Sequence, residues 1–514
     1  MSVRIVYQDI APDAAEDAAI SSTDAAAISA LALLPFSAAR TNYPSLERNR
    51  WALSGAHRAV QNPQIAFWSD EISDDAGNFN DPPEITATFA QSYTSTGITL
   101  VTGAEEWCAL VRVAWFRDTQ QLAEQLFSPD GPTYFCEKTV EGWNRITVTL
   151  LRTALPYRRA RLDALIFGAL RVFGIDELSD VKAIFEVDPT SRTLAENTLD
   201  WNLISHKTVG FLFQDKQPVE AYDGDRLLGT FYVTDSDRAA ERRYKITCTD
   251  AIGVLGDEPY PDQVVANKNA LALAVEICAP FTVEMEDTFQ NESISGAFKG
   301  YTRRQALQQL CFRLGAVADT SGTDVIRIFS LKGYGATMIG TDKVRLSGNS
   351  VKTDDLVTAI RVTTHSYATT GTTGEIEIGG VKYYDTQVVH TLTNPDAVSS
   401  DKPNVIDIKD ATLVTEAQVD EILSRLFSYY TRRQTMQLKF RMAGELAGDY
   451  VRAQTNWGAM VGGVLKRAVV SIKGFAVAEG EIVGSSSEGY DPVYPYSGQL
   501  YSGQPALYLG GINV

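Results

Sequence analysis

Histidine is scarce. His57, His206, His365 and His390 are the four in 514 residues, and no two of them stand at metal-ligand spacing. H-E-x-x-H, G-x-S-x-G and G-x-x-x-x-G-K are all missing, which excludes the common zinc-hydrolase, acyl-transfer and phosphate-cradling signatures. No catalytic residue and no cofactor is therefore expected. Cys108, Cys136, Cys248, Cys278 and Cys311 are odd in number, widely spaced and without a C-x-x-C pair, so reduced, buried thiols are expected rather than a disulfide framework. Basic residues are outnumbered, 46 Lys and Arg against 64 Asp and Glu for a net charge of -18. That balance argues against specific nucleic-acid binding, which needs clustered cations. The longest apolar run, Ala25 to Phe36, is broken by Ser29 and is too short to cross a bilayer. The acidic start (Asp9, Asp13, Glu16, Asp17, Asp24) has no basic secretory n-region. The expectation is a soluble chain, made in a cytoplasm and not inserted in a membrane.

What is present is β-pattern. In VEAYDGDRLLGTFYVTDSDRAAERRYKITCTDAIGVL (Val219 to Leu255), Asp223-Gly224 is a turn dipeptide. Leu227 to Thr234 follows, dense in aromatic and β-branched residues. After a polar break at Ser236 to Arg242, Tyr244, Ile246 and Cys248 alternate with polar residues, the period of a strand with one buried face. This predicts a three-strand meander. Five more strands are predicted earlier: Ile85 to Phe89, Gly97 to Val101, Val111 to Phe116, Thr133 to Glu137 and Arg145 to Leu151, spaced as in a jelly-roll sandwich. Later strands are predicted at Val325 to Leu331, Ala359 to Ser366, Lys382 to Thr391 and Met436 to Phe440, with a closing pair about Lys473-Gly474.

Three helices are predicted. Pro261 to Cys278 places Leu271, Val275 and Cys278 on one face. In Tyr301 to Gly315, Thr302 and Gln305 form a capping-box pair ahead of Leu307, Leu310, Cys311 and Leu314. Thr415 to Tyr430 puts Val419, Ile422, Leu423 and Leu426 on a face. The fold class expected is mainly β with α+β parts, in several domains. These are a leader at 1-54, a jelly-roll sandwich at 55-170, a first β domain at 171-260, a small α/β module at 261-340, a second β domain at 341-484 carrying the helix, and an arm at 485-514. The arm is rich in Gly, Tyr, Ser and Pro, repeats YSGQ, and cannot bury a core alone.

Several phrases together resemble a known family. Gly229-Thr-Phe-Tyr-Val233, Tyr244-Lys-Ile-Thr-Cys-Thr-Asp-Ala-Ile-Gly253 and the earlier Y-x-x-L-E-x-N-R-W at Tyr43 to Trp51 are similar to the hub or tail-associated proteins of long-tailed phages and phage-derived contractile particles. The likeness covers about residues 40 to 480. ITATFAQSYTSTGITLV, VRVAWF and ITVTLLRTALPYRRARLDALIFG likewise resemble galactose-binding-like modules. The resemblance implies a non-enzymatic structural hub in a virion or tail-like particle, with two related β-barrel-like domains side by side. Three subunits would then present a six-fold surface. Implied partners are the chain itself as a homotrimer, the tail tube or distal tail protein, tape measure, spike and baseplate wedge proteins. Relatives often continue into a peptidase or fibre domain, so host-wall cleavage is expected elsewhere.

Other classes keep their own candidates. A carbohydrate-binding adhesin would use Trp68, Trp107 and Trp143, with Trp115 and Tyr157 nearby, to stack on a cell-surface glycan. A cryptic glycosidase needs two carboxylates across a cleft, and Glu105 with Glu106 or Asp354 with Asp355 are chance-level pairs among 64 acids. The acidic stretch Ser69 to Glu84 offers Asp74, Asp75, Asn78 and Asp81 to a hard cation, although the spacing is not that of an EF-hand. Arg152, Arg158, Arg159 and Arg161 are candidates for an acidic neighbour. In the arm, Tyr490, Tyr494, Tyr496, Tyr501 and Tyr508 offer contact area to a partner.

Overall fold

A computed structural model describes residues 3–10, 14–36, 47, 65–103, 107–204, 213–224, 226–331, 337–340, 342–431, 434–442, 444–455, 459–472 and 476–487. It is mainly β, as the patterning requires, and its contacts divide the chain into two units. One holds Val6–Val172 with Val209–Pro218; the other holds Met1–Ile5, Phe173–Thr208 and Val219–Val514.

The first unit is built on a six-stranded antiparallel sheet. Its strands are β1 (Ala19–Ser22), β2 (Glu84–Val101), β3 (Cys108–Arg117), β4 (Gln120–Phe127), β5 (Thr133–Thr153) and β6 (Ala164–Ile166), in the order β1-β2-β5-β3-β4 with β6 also on β2. Two expectations change here. Ile85 to Phe89 and Gly97 to Val101 are ends of one strand, as are Thr133 to Glu137 and Arg145 to Leu151. The intervening polar stretches are irregularities in the β2–β5 ladder between Thr88 and Gly97 rather than loops. Asp17 supplies the pairing that the ladder loses there, its carboxylate accepting from the amides of Ala90 and Gln91 and from the Tyr93 hydroxyl. Gly97 sits at φ 153°, where a Cβ would meet the Cys136 carbonyl oxygen at 2.3 Å, so only glycine lets the strands close. β4 was not expected, because QQLAEQLF is exposed along most of its length and carries no alternation. The core is aromatic: Phe89 meets Trp143 and Phe167 edge-on at 5.0 and 4.8 Å.

The second unit contains the predicted meander and much more. β7 (Leu178–Glu186), β8 (Thr198–Ile204), β9 (Pro218–Asp223), β10 (Arg226–Ala240) and β11 (Arg243–Thr249) are followed by a short helix α1 (Ala251–Val254). Gly224, at φ 66°, makes the predicted turn. The polar stretch after Thr234 is not a break: β10 runs on to Ala240 and returns as β11, with Thr234 to Arg243 exposed on both faces. No core lies beneath it to impose an alternation.

Residues 261 to 331 fold around two helices. Where one helix was expected from Pro261, β12 (Gln263–Asn269) comes first and α2 (Ala270–Cys278) follows, with the Asn269 side chain accepting from the Ala272 amide as N-cap. The buried stripe of α2 is Ala270, Leu273, Ala274, Ile277 and Cys278; Val275 is 51% exposed. β13 (Val283–Met285) and β14 (Ser293–Phe298) precede α3 (Arg303–Leu314), whose capping box is formed as predicted: the Thr302 hydroxyl accepts from the Gln305 amide, and the Gln305 side chain from the Thr302 amide. Gly315 closes it in the left-handed conformation. β15 (Val317–Asp319) and β16 (Ile326–Phe329) join β13 in a small sheet, and β12 pairs with β14.

The rest comprises β17 (Thr337–Ile339), β18 (Val344–Thr353), β19 (Ala359–Ala368), β20 (Glu375–Ile378), β21 (Val381–Thr393), β22 (Val405–Ala411), α4 (Val419–Tyr430), β23 (Gln434–Arg441), β24 (Tyr450–Gln454), β25 (Met460–Ile472) and β26 (Ala476–Ser487). The predicted strands Ala359 to Ser366, Lys382 to Thr391 and Met436 to Phe440 fall within β19, β21 and β23. α4 starts four residues later than expected and buries the predicted Val419, Ile422, Leu423 and Leu426. Lys473-Gly474 lies outside the described residues. One sheet runs β9-β10-β11-β8-β7-β25-β26-β23-β18, so strands of both β-rich blocks are edge to edge at β7 and β25. A separate four-stranded sheet runs β20-β21-β19-β22, with α4 packed on Ile360 and Val362.

Candidate functional site

The four-stranded sheet brings together the chemistry-bearing residues that the sequence left scattered. His365 on β19 places Nδ1 2.9 Å from Asp385 Oδ2 on β21 and Nε2 2.8 Å from the Lys409 carbonyl on β22. Both side chains are under a tenth exposed. With each ring nitrogen engaged by an acceptor, the imidazole braces three strands and offers no free nitrogen to a reacting group. Tyr367 stacks on it, centroids 6.1 Å apart; burial first, then the Asp385 charge, holds the phenol well above its usual range. His390 faces the Thr364 hydroxyl at 3.2 Å. His57 and His206 lie outside the described residues.

Beside β19 and β21, just ahead of α4, is a cleft of about 560 Å³. Thr364, Ser366, Thr386 and Val388 line it from the sheet; Val264 to Ala266 and Ser295 line it from β12 and β14, and Thr415 to Ala417 from the approach to α4. His365 and Tyr367 also line it, and the rest of its lining is hydroxyl and aliphatic, with Glu416 as the acidic side chain. Such a surface can hold an uncharged group.

The other candidates resolve as structure. Asp74 accepts from the amides of Ala76 and Asn78, and Glu71 from those of Asn80 and Asp81, so the acidic loop folds on its own carboxylates. Asp74, Asp75, Asn78 and Asp81 are exposed, and among the described residues no three His, Cys, Asp or Glu gather as a metal site. Trp143 is fully buried and Trp68 3% exposed, so neither ring offers a face to a sugar; these two glycan contacts are corrected to core packing. Trp107 is partly buried. Arg159 bonds the carbonyl of Ser69, and Arg161 is buried against Asp163 at 2.8 Å, under the Trp68 ring. Asp354 accepts from Thr435. Glu105, Glu106 and the arm tyrosines Tyr490, Tyr494, Tyr496, Tyr501 and Tyr508 lie outside the described residues.

One cluster was not anticipated. Asp250, fully buried, caps α1 through Gly253 N–H and accepts from Thr320 Oγ1 at 2.7 Å. Asn197 Nδ2 donates to Asp319 Oδ1 and Thr320 Oγ1, and Arg327 pairs with Asp319 at 3.0 Å. Burial pushes Asp250 up to about 7, only partly offset by these donors. The network ties the ends of β8, β11 and β15 together. In the sequence, the one sign was Asp250 standing directly before the buried run AIGV.

No family model and no curated protein matches the sequence. Solved structures do. The tail protein of Neisseria meningitidis MC58 aligns at TM-score 0.45 and 10% identity, over 61% of this chain and 93% of that one. The 43 kDa tail protein of prophage MuSo2 from Shewanella oneidensis aligns at TM-score 0.43 and 13% identity, over 61% and 96%. A component of the E. coli type VI secretion system, described as similar to bacteriophage T4 tail proteins, aligns at 0.37 and 10%, over 61% and 75%. The first two of these are named as tail proteins and the third as a secretion-system component. At TM-scores below 0.5 the likeness is too loose to carry function.

Proposed function

We propose that the chain is a structural, non-enzymatic hub of a phage tail or tail-like contractile particle, joining the tail tube to the spike and the surrounding baseplate. The observation that carries this reading is the antiparallel pairing of β7 with β25, Lys182 opposite Ser471 through Glu186 opposite Arg467. An antiparallel pair has a local two-fold, and outward from it each side carries a hairpin and one further antiparallel strand: β7, β8, β11 on one side and β25, β26, β23 on the other, with β11 following its hairpin in the chain and β23 preceding its own. A subunit with two such halves suits a trimer that meets a six-fold tube, and closure of the ring removes exposed strand edges. The separate phrases resembling hub proteins support the same reading. So does His365, whose ring nitrogens are engaged by Asp385 and a backbone carbonyl. The first unit, as a galactose-binding-like module, is then an attachment domain.

The test is the purified chain in solution and in the particle. Light scattering is expected to give three copies, and electron cryomicroscopy a three-fold hub density with two like lobes per subunit. A six-copy ring, or absence of the chain from purified particles, overturns the proposal.

A further inference from the structure

β21 is paired along only part of one edge. It pairs with β19 from Tyr384 to Thr393, but on its other side β20 covers only Val381 to Tyr384, and the Gly374 carbonyl takes the Asp385 amide at 2.9 Å. From Thr386 to Thr393 no described strand lies on that edge. Both faces are open there: Val388 is 44% and Val389 61% exposed. The usual safeguards are missing, since Thr386 to Thr393 contains no charged residue, no proline and no glycine. An edge of this kind is a template for another strand. Beside it, Thr386 and Val388 open onto the cleft of about 560 Å³. An open main-chain edge next to a side-chain pocket is the geometry of strand addition, in which backbone bonds give affinity and alternate side chains give selectivity.

The chain carries a matching occupant. In a protein of net charge -18, no charged side chain occurs from Pro492 to Val514. Ala506-Leu-Tyr-Leu509 is an apolar run between Pro505 and Gly510. An uncharged strand can lie over Val388 and Val389 without desolvating an ion, whereas most segments of this acidic protein cannot. Reach is ample. β26 pairs Gly484 with Gln434, the first residue of β23, which follows α4, and α4 packs on the sheet containing β21. Fully extended, residues 488–505, which lead to Ala506, span up to about 60 Å, against about 26 Å for the eight-residue edge.

We infer that Ala506–Leu509 adds as a strand to the open edge of β21 in its own chain, with alternate side chains entering the cleft. Tyr508 thereby acquires an intramolecular contact. Residue-resolved hydrogen exchange on the full chain tests this at two protein concentrations, with Val389→Lys and Leu507→Asp as variants at exposed or arm positions. In the parent, the amides of Thr386 to Thr393 that do not face β19 are expected to exchange at least ten-fold more slowly than in Leu507→Asp. Val389→Lys is expected to release Ala506 to Leu509 to a similar degree. Protection of β25 and β26 should stay the same in all three, which separates undocking from unfolding. Equal exchange of the edge amides in parent and Leu507→Asp overturns the inference. Protection that appears only at the higher concentration also overturns it, since the arm would then lie on a second copy.

Discussion

Asp250 is a carboxyl group sealed from water, and its ionisation opposes folding. Its folded value is raised to about 7 from the ordinary 3.8, with burial as the main cause. Between those values the unfolded chain has lost its proton and the folded chain keeps it. Stability therefore falls as pH rises from about 4 to about 7, and the loss is complete above that window. Asp250→Asn keeps an oxygen for the Gly253 amide and removes the titration. Its melting temperature should match the parent near pH 5 and exceed it near pH 8; parallel pH profiles for the two proteins would refute the assignment. The cysteines are a second residue-scale case, and one that spacing alone made legible. All five are free and buried, with thiols pushed up to about 12 for Cys108, Cys248 and Cys278 and higher for Cys136 and Cys311. In the native chain, a thiol reagent should label fewer than one per molecule in an hour, and denaturant should release all five. The Asp250 network was not legible, because Asn197, Asp250 and Asp319 meet only after three separate strands have been placed.

Among elements, legibility followed the locality of the signal. α3 could be read to the residue, since Thr302, Gln305 and Gly315 act within their own turns. The turn at Gly224 was equally local. Its φ of 66° is unfavourable to a β-branched residue, so Gly224→Val should cost on the order of 1 to 3 kcal/mol. A denaturation midpoint unchanged from the parent would show that the β9–β10 hairpin tolerates another turn. β2 and β5 were misread as pairs of shorter strands because what keeps them continuous is remote. Asp17 caps the irregular stretch of β2 from 73 residues earlier in the chain, and nothing in AQSYTST announces it. α2 was misread for a different reason. Val264 and Val265 fit a helical stripe as well as a strand, and only pairing with β14 decides between them.

At the scale of the whole molecule, a mainly β, multidomain chain was legible from composition and alternation. The shared sheet was not, because Ala183 opposite Val470 is a pairing that no local pattern encodes. Its energetic signature is cooperativity. Phe185 is 1% exposed on β7, and Phe185→Ala should cost about 3 to 5 kcal/mol. The loss should lower hydrogen-exchange protection in β26 and β23 as well as in β8. Protection lost only in β7, β8 and β11 would mean that the two halves of the sheet unfold independently. The same pairing sets a schedule for biosynthesis. A ribosome adding about 5 to 20 residues per second delivers β25 roughly 15 to 60 seconds after β7 has emerged. Throughout that interval the nascent chain shows one unpaired edge of β7 to the cytosol, so holdase chaperones should be found on translation intermediates stalled before Met460 and should leave once the finished chain is released.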